Sequence, residues 1–462
     1  MAIGDCIAQG GAMEIDWQKE GVEAVERLRA MIRFATVNPP GDERELVEWL
    51  AGTLRREGLE PEVIIAEGER ANLAVTVKGD GSERPLLLLS HLDVVPVEEQ
   101  QWSSPPFAAD LRDGYVYGRG AIDSKLTGAV QLQVLLMCHR LGLGLKRDLV
   151  LVAAADEERG GVYGVEWLAR QRPDLFDAEY GLNEAGGFAL MVDGIPLYTV
   201  QVGEKGGAEL DLVAGGQPGH SSVPHDDNAV FHLARVLAAM ADVQMPHQPP
   251  ASVQAFFAAA ADAQVRADVA ADLRAMLDAE AHQEALSRLP VNEPTRRMFD
   301  AMVRNTCAPT VVEAGLKRNV IPSQAVAQLS GRPLPGVDAE TFVEQVRALA
   351  GEGVDYQLGN FRSGVEYDHR TPLFAAIAAS VQRFDPQGAA VPYMQTGGTD
   401  ARFLADRDIA IYGFVPMRYE EGLDFFDLCH GHDERVSVDN ILFAVQVIFD
   451  ITCRLNKVGE YV

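Results

Sequence analysis

Two stretches of the chain are apolar without alternation: Pro85–Ser90 (PLLLLS) and Asp148–Ala155 (DLVLVAAA). Such strands cannot lie on a sheet with one wet face, so helices must cover both sides. Helical segments with an apolar stripe flank them. Residues 17–33 place Val22, Val25, Leu28 and Ile32 on one stripe, with Asp16 as N-cap. Asn38-Pro39-Pro40-Gly41 then breaks the helix, and a second runs over 43–57 to Gly58. Strand Ala71–Val77 and helix Leu126–Leu141 complete an alternation that predicts a mostly parallel α/β sheet.

After about Val202 the character changes. Ala208–Ala214 alternates like a half-exposed antiparallel strand. Helical tracts follow at 226–242 and about 263–286, then strands Val326–Leu329 and Asp355–Leu358, with a turn and helix after Pro335-Gly336. From Thr371 the parallel-type pattern resumes with helix 372–383 and strand Ile409–Phe414. At 462 residues the chain is too long for one ordinary core. The expected organisation is a catalytic domain in two parts, 13–203 and 365–462, with an inserted α+β domain at 204–364. Residues 245–305 are Ala-rich and mostly helical, enlarging the insertion.

A formal net charge of -28 repels phosphate backbones, so nucleic acid is not an expected partner. No run of 18 apolar residues occurs, so no membrane span is expected. Met1–Gly11 lacks a basic start followed by an apolar stretch, so no secretory leader is expected. The five cysteines (Cys6, Cys138, Cys307, Cys429 and Cys453) are odd in number, far apart and form no CxxC, which fits reduced thiols in a cytoplasm.

The chemistry-bearing residues recur at the ends of the apolar strands. His91-Leu92-Asp93 follows PLLLLS, and residues at i and i+2 of an extended chain point the same way, into the crevice where open α/β sheets bind ligands. A metal-bound histidine commonly has a carboxylate on its other ring nitrogen. In Tyr117–Lys125 (YGRGAIDSK), Gly118 and Gly120 permit a tight turn that delivers Asp123 just ahead of a helix. Taken alone, Asp123 also suits a helix N-cap. A dinucleotide fingerprint is excluded because Asp stands where its third glycine belongs. Asp156-Glu157-Glu158 closes the strand DLVLVAAA, and three carboxylates there repel unless a cation is present. Glu184 lies in Asn183–Gly187 (NEAGG), and His430 opens HGHDER. Oxygen-rich ligands with two histidines suit zinc, and manganese or cobalt less strongly. No GxSxG elbow or HExxH helix is present.

In order, the blocks SHLDVVP, DGYVYGRGAIDSK, DEERGG, NEAGG, GHSSVP, NVIP, GGTDAR and HGHDER resemble the dinuclear zinc amidohydrolase and exopeptidase family. That family includes aminoacylase, acetylornithine deacetylase, succinyl-diaminopimelate desuccinylase, glutamate carboxypeptidase and carnosine dipeptidase. The resemblance spans nearly the whole chain. It implies two zinc ions, with cobalt or manganese as substitutes: His91 and Glu184 on one, Glu158 and His430 on the other, and Asp123 bridging. His430 is preferred to His432 because it stands three residues before Asp433-Glu434. Asp93 would stand behind His91, Glu157 would be the general base, and the peptide after Asp123 would be cis.

The inserted domain is similar to the family's lid, or dimerisation, domain. His220 would steady the oxyanion, across a homodimer in dimeric relatives. Asn319, Arg332, Gly398 and Arg402 would contact the substrate. The implied activity is hydrolysis of an amide or peptide bond beside a free carboxylate, in an N-acyl amino acid or a peptide. A metal-free relative kept as a binding or scaffold protein is the alternative. It would have lost a ligand or Glu157, and none is lost here.

Overall fold

A computed structural model describes residues 13–241, 243–423 and 425–461. Cys6, the first eleven residues and Asp242 lie outside that range. The described residues divide into two compact units, one of those up to Val202 with Tyr367–Tyr393 and those from Thr399 onward, the other of those in Gly203–Glu366 with Met394–Gly398. Met394–Gly398, expected within the 365–462 segment, falls in the second unit. There the Lys205 amide donates to the Gln395 carbonyl.

The first unit is built on strands β1 (Glu62–Glu67), β2 (Arg70–Val77), β3 (Leu86–His91), β4 (Leu149–Ala154), β5 (Tyr180–Asn183), β6 (Ile195–Glu204) and β7 (Ala410–Gly413). Their spatial order is β1-β2-β4-β3-β5-β7-β6. The centre is parallel: β4 pairs β3, β3 pairs β5 and β5 pairs β7. Antiparallel strands extend both edges. Every residue of β3 and β4 is buried, as two-sided apolar strands require. Helix Lys125–Arg140 lies against β3 and is buried along nearly its whole length. The carboxyl ends of β4, β3 and β5 sit side by side, with His91 in register with Ala154.

Asp16 caps the first helix, Trp17–Ile32, by accepting from the Lys19 amide. Its buried stripe is Gly21, Ala24, Val25, Leu28, Met31 and Ile32. Val22 is exposed, contrary to expectation, because the stripe runs through Gly21 and Ala24 beside Val25 and Leu28 instead.

The second unit holds an antiparallel sheet in the order Thr306–Ala314, Gln324–Arg332, Gly207–Gly215, Asp355–Arg362. Helices Ala229–Ala241 and Ala339–Ala350 cover one face, closing a core around Leu210, Leu212, Leu233, Leu329 and Phe342. The tract expected at 263–286 is not one helix. Ala251–Asp262, Ala267–Ala275 and His282–Arg288 are separate, and the Asp278 carboxylate accepts the Glu280 and Ala281 amides in the turn between the last two. Strand Thr306–Ala314 escaped the sequence reading because it carries Pro309. The structure seats it on the sheet edge with an irregular register at Pro309/Val311, where a missing N–H is tolerated.

Candidate metal centre

The turn Gly118–Asp123 is fixed by close packing. Gly120 has a left-handed φ of 89°, and a Cβ there would come within 3.0 Å of Val94 and Lys125 side-chain carbons. Helix Lys125–Arg140 is capped at Ser124, without a side-chain bond. Asp123 is therefore not spent as an N-cap, and the Asp123-Ser124 peptide is cis.

The Asp123 oxygens face two imidazoles. Oδ1 is 3.1 Å from His91 Nε2, and Oδ2 is 3.0 Å from His430 Nε2. His91 Nε2 also lies 3.0 Å from Glu184 Oε2, and His430 Nε2 lies 3.4 Å from Glu158 Oε2. Two ligand groups result, His91-Asp123-Glu184 and Asp123-Glu158-His430, sharing Asp123. His432 instead points towards Glu98, at 3.7 Å. Cys429 is held away from thiolate chemistry: burial and the carboxylates of Asp123, Glu434, Glu184 and Glu158 push its thiol well up.

The donor set fits a pair of cations. Atoms sharing a tetrahedral ion at bonds of ~2.0–2.1 Å stand about 3.3 Å apart, close to the spacings here. Glu158 Oε1 is buried without a hydrogen-bond partner. Electrostatics agree. Burial opposes charge on His91, but Glu184, Asp123 and Asp93 outweigh it and hold its pKa well above the usual histidine range. His430, bonded to Asp123 and Glu158, is raised to about 10. Burial lifts Glu158 to about 7. Each imidazole thus turns its Nε2 towards carboxylates that call for positive charge, the place a bound ion fills.

Asp93 stands behind His91. Its carbonyl lies 3.0 Å and its Oδ1 3.5 Å from Nδ1. The same carboxylate accepts the amides of Glu157 and Glu158, at 3.0 and 3.2 Å. Glu157 is in neither ligand group. Burial, with the charges of Glu184 and Asp400, raises its pKa well above the carboxylate range, while His91 and then Arg402, 3.5 Å away, pull it back.

Two carboxylates escaped the sequence reading. Glu434 is wholly buried and accepts from Arg119 Nη1 and from the amides of Gly120, Ile122 and Asp123. Arg119 Nη2 in turn donates to the His430 and Gly431 carbonyls. Asp400 is buried with both oxygens lacking a hydrogen bond, and burial raises it to about 8. Both stand inside motifs already singled out, GGTDAR and HGHDER. Their burial is the signal that a sequence does not carry.

His220, Asn319, Arg332 and Gly398 belong to the second unit. His220 is exposed and pairs with Val320 in a short ladder, and the Ser221 amide donates to the Asn319 carbonyl. His220 and Asn319 are therefore neighbours. Arg332 is exposed at the end of its strand, opposite Thr306.

Residues 87–453 match the model of peptidase family M20/M25/M40. The chain is 28% identical over 453 residues to the Xenopus tropicalis N-fatty-acyl-amino acid synthase/hydrolase PM20D1, spanning 93% of this chain and 85% of that protein. It is 26% identical over 443 residues to aminoacylase-1 of Sus scrofa, spanning 94% and 96%. Its fold is that of the Sulfolobus solfataricus M20 metallo-carboxypeptidase Sso-CP2, with TM-score 0.69, 19% identity and coverage of 94% and 99%. It is also that of human carnosine dipeptidase 1, with TM-score 0.67, 14% identity and coverage of 96% and 97%. No helix among the described residues is long and apolar enough to cross a membrane. The apolar parallel strands, the histidines and carboxylates at their ends and the family match lead to one assignment: the chain belongs to peptidase family M20/M25/M40 and is a hydrolase of amide or peptide bonds.

Proposed function

We propose that this chain hydrolyses an amide or peptide bond beside a free carboxylate, as an N-acyl amino acid deacylase or exopeptidase, using two zinc ions. The observation that carries the reading is the pair of ligand groups sharing Asp123, with Glu157 beside them but outside both. His91 and Glu184 would hold one ion, Glu158 and His430 the other, and Asp123 would bridge. Cobalt or manganese would substitute, because oxygen and imidazole donors do not exclude them. When bound, such ions acidify water and polarise a carbonyl.

Glu157 is the general base in this reading. Its carboxylate takes a proton from the attacking water and returns it to the leaving nitrogen, a task for a carboxylate without metal duty. Asp93 fixes the tautomer and direction of His91. Arg402 favours the anionic form of Glu157 and is the first unit's contact for the substrate carboxylate. Asn319, Arg332 and Gly398 are substrate contacts assigned to the second unit. Arginine suits that duty because its fork matches a carboxylate. His220, exposed and accepting the Ser222 amide on Nδ1 at 3.2 Å so that its proton sits on Nε2, is the oxyanion donor, supplied across a homodimer. The protein works in the cytoplasm, in keeping with its unpaired described cysteines.

The first unit also holds a pocket of about 60 Å³ whose lining mixes apolar residues such as Ile122, Phe188, Met417 and Leu428 with Arg418, Glu420, Arg435 and Asn440. Ile122 adjoins Asp123, and Leu428 stands two residues before His430. The similarity to the N-fatty-acyl-amino acid and aminoacylase relatives favours an apolar acyl group or side chain. The test is a substrate panel of N-acetyl to N-octanoyl amino acids, their amides and a set of dipeptides. Turnover should need the free carboxylate and rise with acyl length. Equal turnover of the amides would refute recognition of the carboxylate.

A further inference from the structure

The turn Asn38-Pro39-Pro40-Gly41, which reads in sequence as a helix breaker, packs behind the metal centre. Asn38 is buried, and its Nδ2 donates to Asp93 Oδ2 at 2.8 Å and to Asp156 Oδ1 at 2.9 Å. One neutral amide thus sits between two carboxylates. Arg70, also buried, closes the arrangement. Its Nη1 donates to Asn38 Oδ1 at 3.3 Å and to the Pro40 carbonyl at 2.8 Å. Its Nη2 donates to Asp156 Oδ1 at 2.7 Å and pairs with the buried Glu43 at 3.0 Å. The turn is shaped around this guanidinium. A Cβ on Gly41 would lie 1.8 Å from Arg70 Nη1, and Gly41 has a left-handed φ of 81°.

The two carboxylates bound by Asn38 lead to different parts of the centre. Asp93 backs His91 and accepts the Glu157 and Glu158 amides. Asp156, itself at a left-handed φ of 70°, is the turn residue from which Glu157 and Glu158 project. Without a cation and a donor between them, Asp93 and Asp156 would repel and separate.

We propose that Asn38 and Arg70 are positioning residues for the metal centre, holding the His91 support and the Glu157-Glu158 turn at a fixed separation. They touch neither ligand group and act through Asp93 and Asp156. The inference rests on the metal reading proposed above.

The test is zinc affinity, measured by competition with a chromophoric chelator, and kcat at saturating zinc, for wild type, Asn38→Asp, Arg70→Met and Arg70→Lys. Asn38→Asp keeps the shape, removes the amide donor and adds a third carboxylate, so it loads the separation of Asp93 from Asp156 directly, and Arg70→Lys keeps the matter decidable should Arg70→Met fold poorly. The expected result is zinc binding weakened 10- to 100-fold, the usual effect of losing an outer partner of a ligand. A fall in kcat that saturating zinc does not restore should accompany it, with partial recovery in Arg70→Lys. Variants that melt earlier but bind zinc as wild type does, with unchanged kcat, would overturn the proposal and leave the two residues a purely structural role. A wild-type protein that binds no zinc would instead overturn the underlying metal reading, before any substitution is made.

Discussion

Glu434 and Arg119 form a solvent-sealed ion pair of 2.6 Å, four residues in sequence beyond His430 and four before Asp123 respectively. The pair ties together the two loops that carry these ligands. Glu434 accepts the amides of the Asp123 loop, and Arg119 donates to the carbonyl of His430 itself. Glu434→Ala leaves a buried guanidinium and three amides short of their acceptor. A loss of about 3–5 kcal/mol is expected from breaking such a buried pair, together with loss of bound metal. Glu434→Gln keeps one acceptor oxygen and should lose less. Urea unfolding of both variants checks this, and equal stability of Glu434→Ala and wild type would contradict it.

Glu157→Ala should keep its metal and lose about 10²–10⁴-fold in kcat, the range for a positioned general base. Metal content measured beside turnover separates this from collapse of the site. Near-wild-type kcat would mean that another group takes the proton.

The pH profile gives a second handle on Glu157. Catalysis needs its unprotonated form, so kcat falls as pH drops through its pKa. Burial raises that pKa and Arg402 opposes the rise. Removing the guanidinium must push it further up. Arg402→Met should therefore shift the acid limb of the kcat profile to higher pH. A limb that stays in place would show that Arg402 does not act on the base.

In the second unit, Lys205 is buried and its pKa is lowered to about 7, with burial the main cause and Arg332 and Arg304 adding to it. Its Nζ donates to the Arg304 carbonyl at 2.7 Å. The folded state releases this proton near pH 7, the unfolded chain near the ordinary lysine value. The unfolded state thus binds more protons between these limits, and stability rises with pH there. The contribution is present above the unfolded pKa and lost as pH falls through about 7. Unfolding at pH 7, 8 and 9 should show wild type gaining up to ~1.4 kcal/mol per pH unit relative to Lys205→Met. Parallel profiles would show that Lys205 keeps an ordinary pKa.

Much of this arrangement was legible in the sequence. His91 and Glu158 could be found because the first ends, and the second follows within four residues, a strand whose apolar run announces its position. Asp123 gained its meaning from ordered company rather than from its own neighbours. Asp400 and Glu434 were hidden for the opposite reason. A carboxylate in a polar loop looks solvated, and only tertiary packing reveals that both are sealed from water. Asn38 was hidden by its prolines, which explain a chain break so well that the amide beside them needs no other reason. In the insertion, alanine fits every face of a helix, so composition cannot locate the break at Asp278. Val22 lies at the margin of the stripe, where the small Gly21 and Ala24 are buried in its stead, and apolar periodicity gives no weight to glycine.

The most direct test of the shared-ligand centre is metal stoichiometry, by elemental analysis after zinc reconstitution and removal of loosely held ions. Wild type should retain two ions per chain. Glu184→Ala and Glu158→Ala should each weaken one site, and Asp123→Ala should weaken both. Retention of less than one ion by wild type, or of two undiminished by Asp123→Ala, would contradict the account.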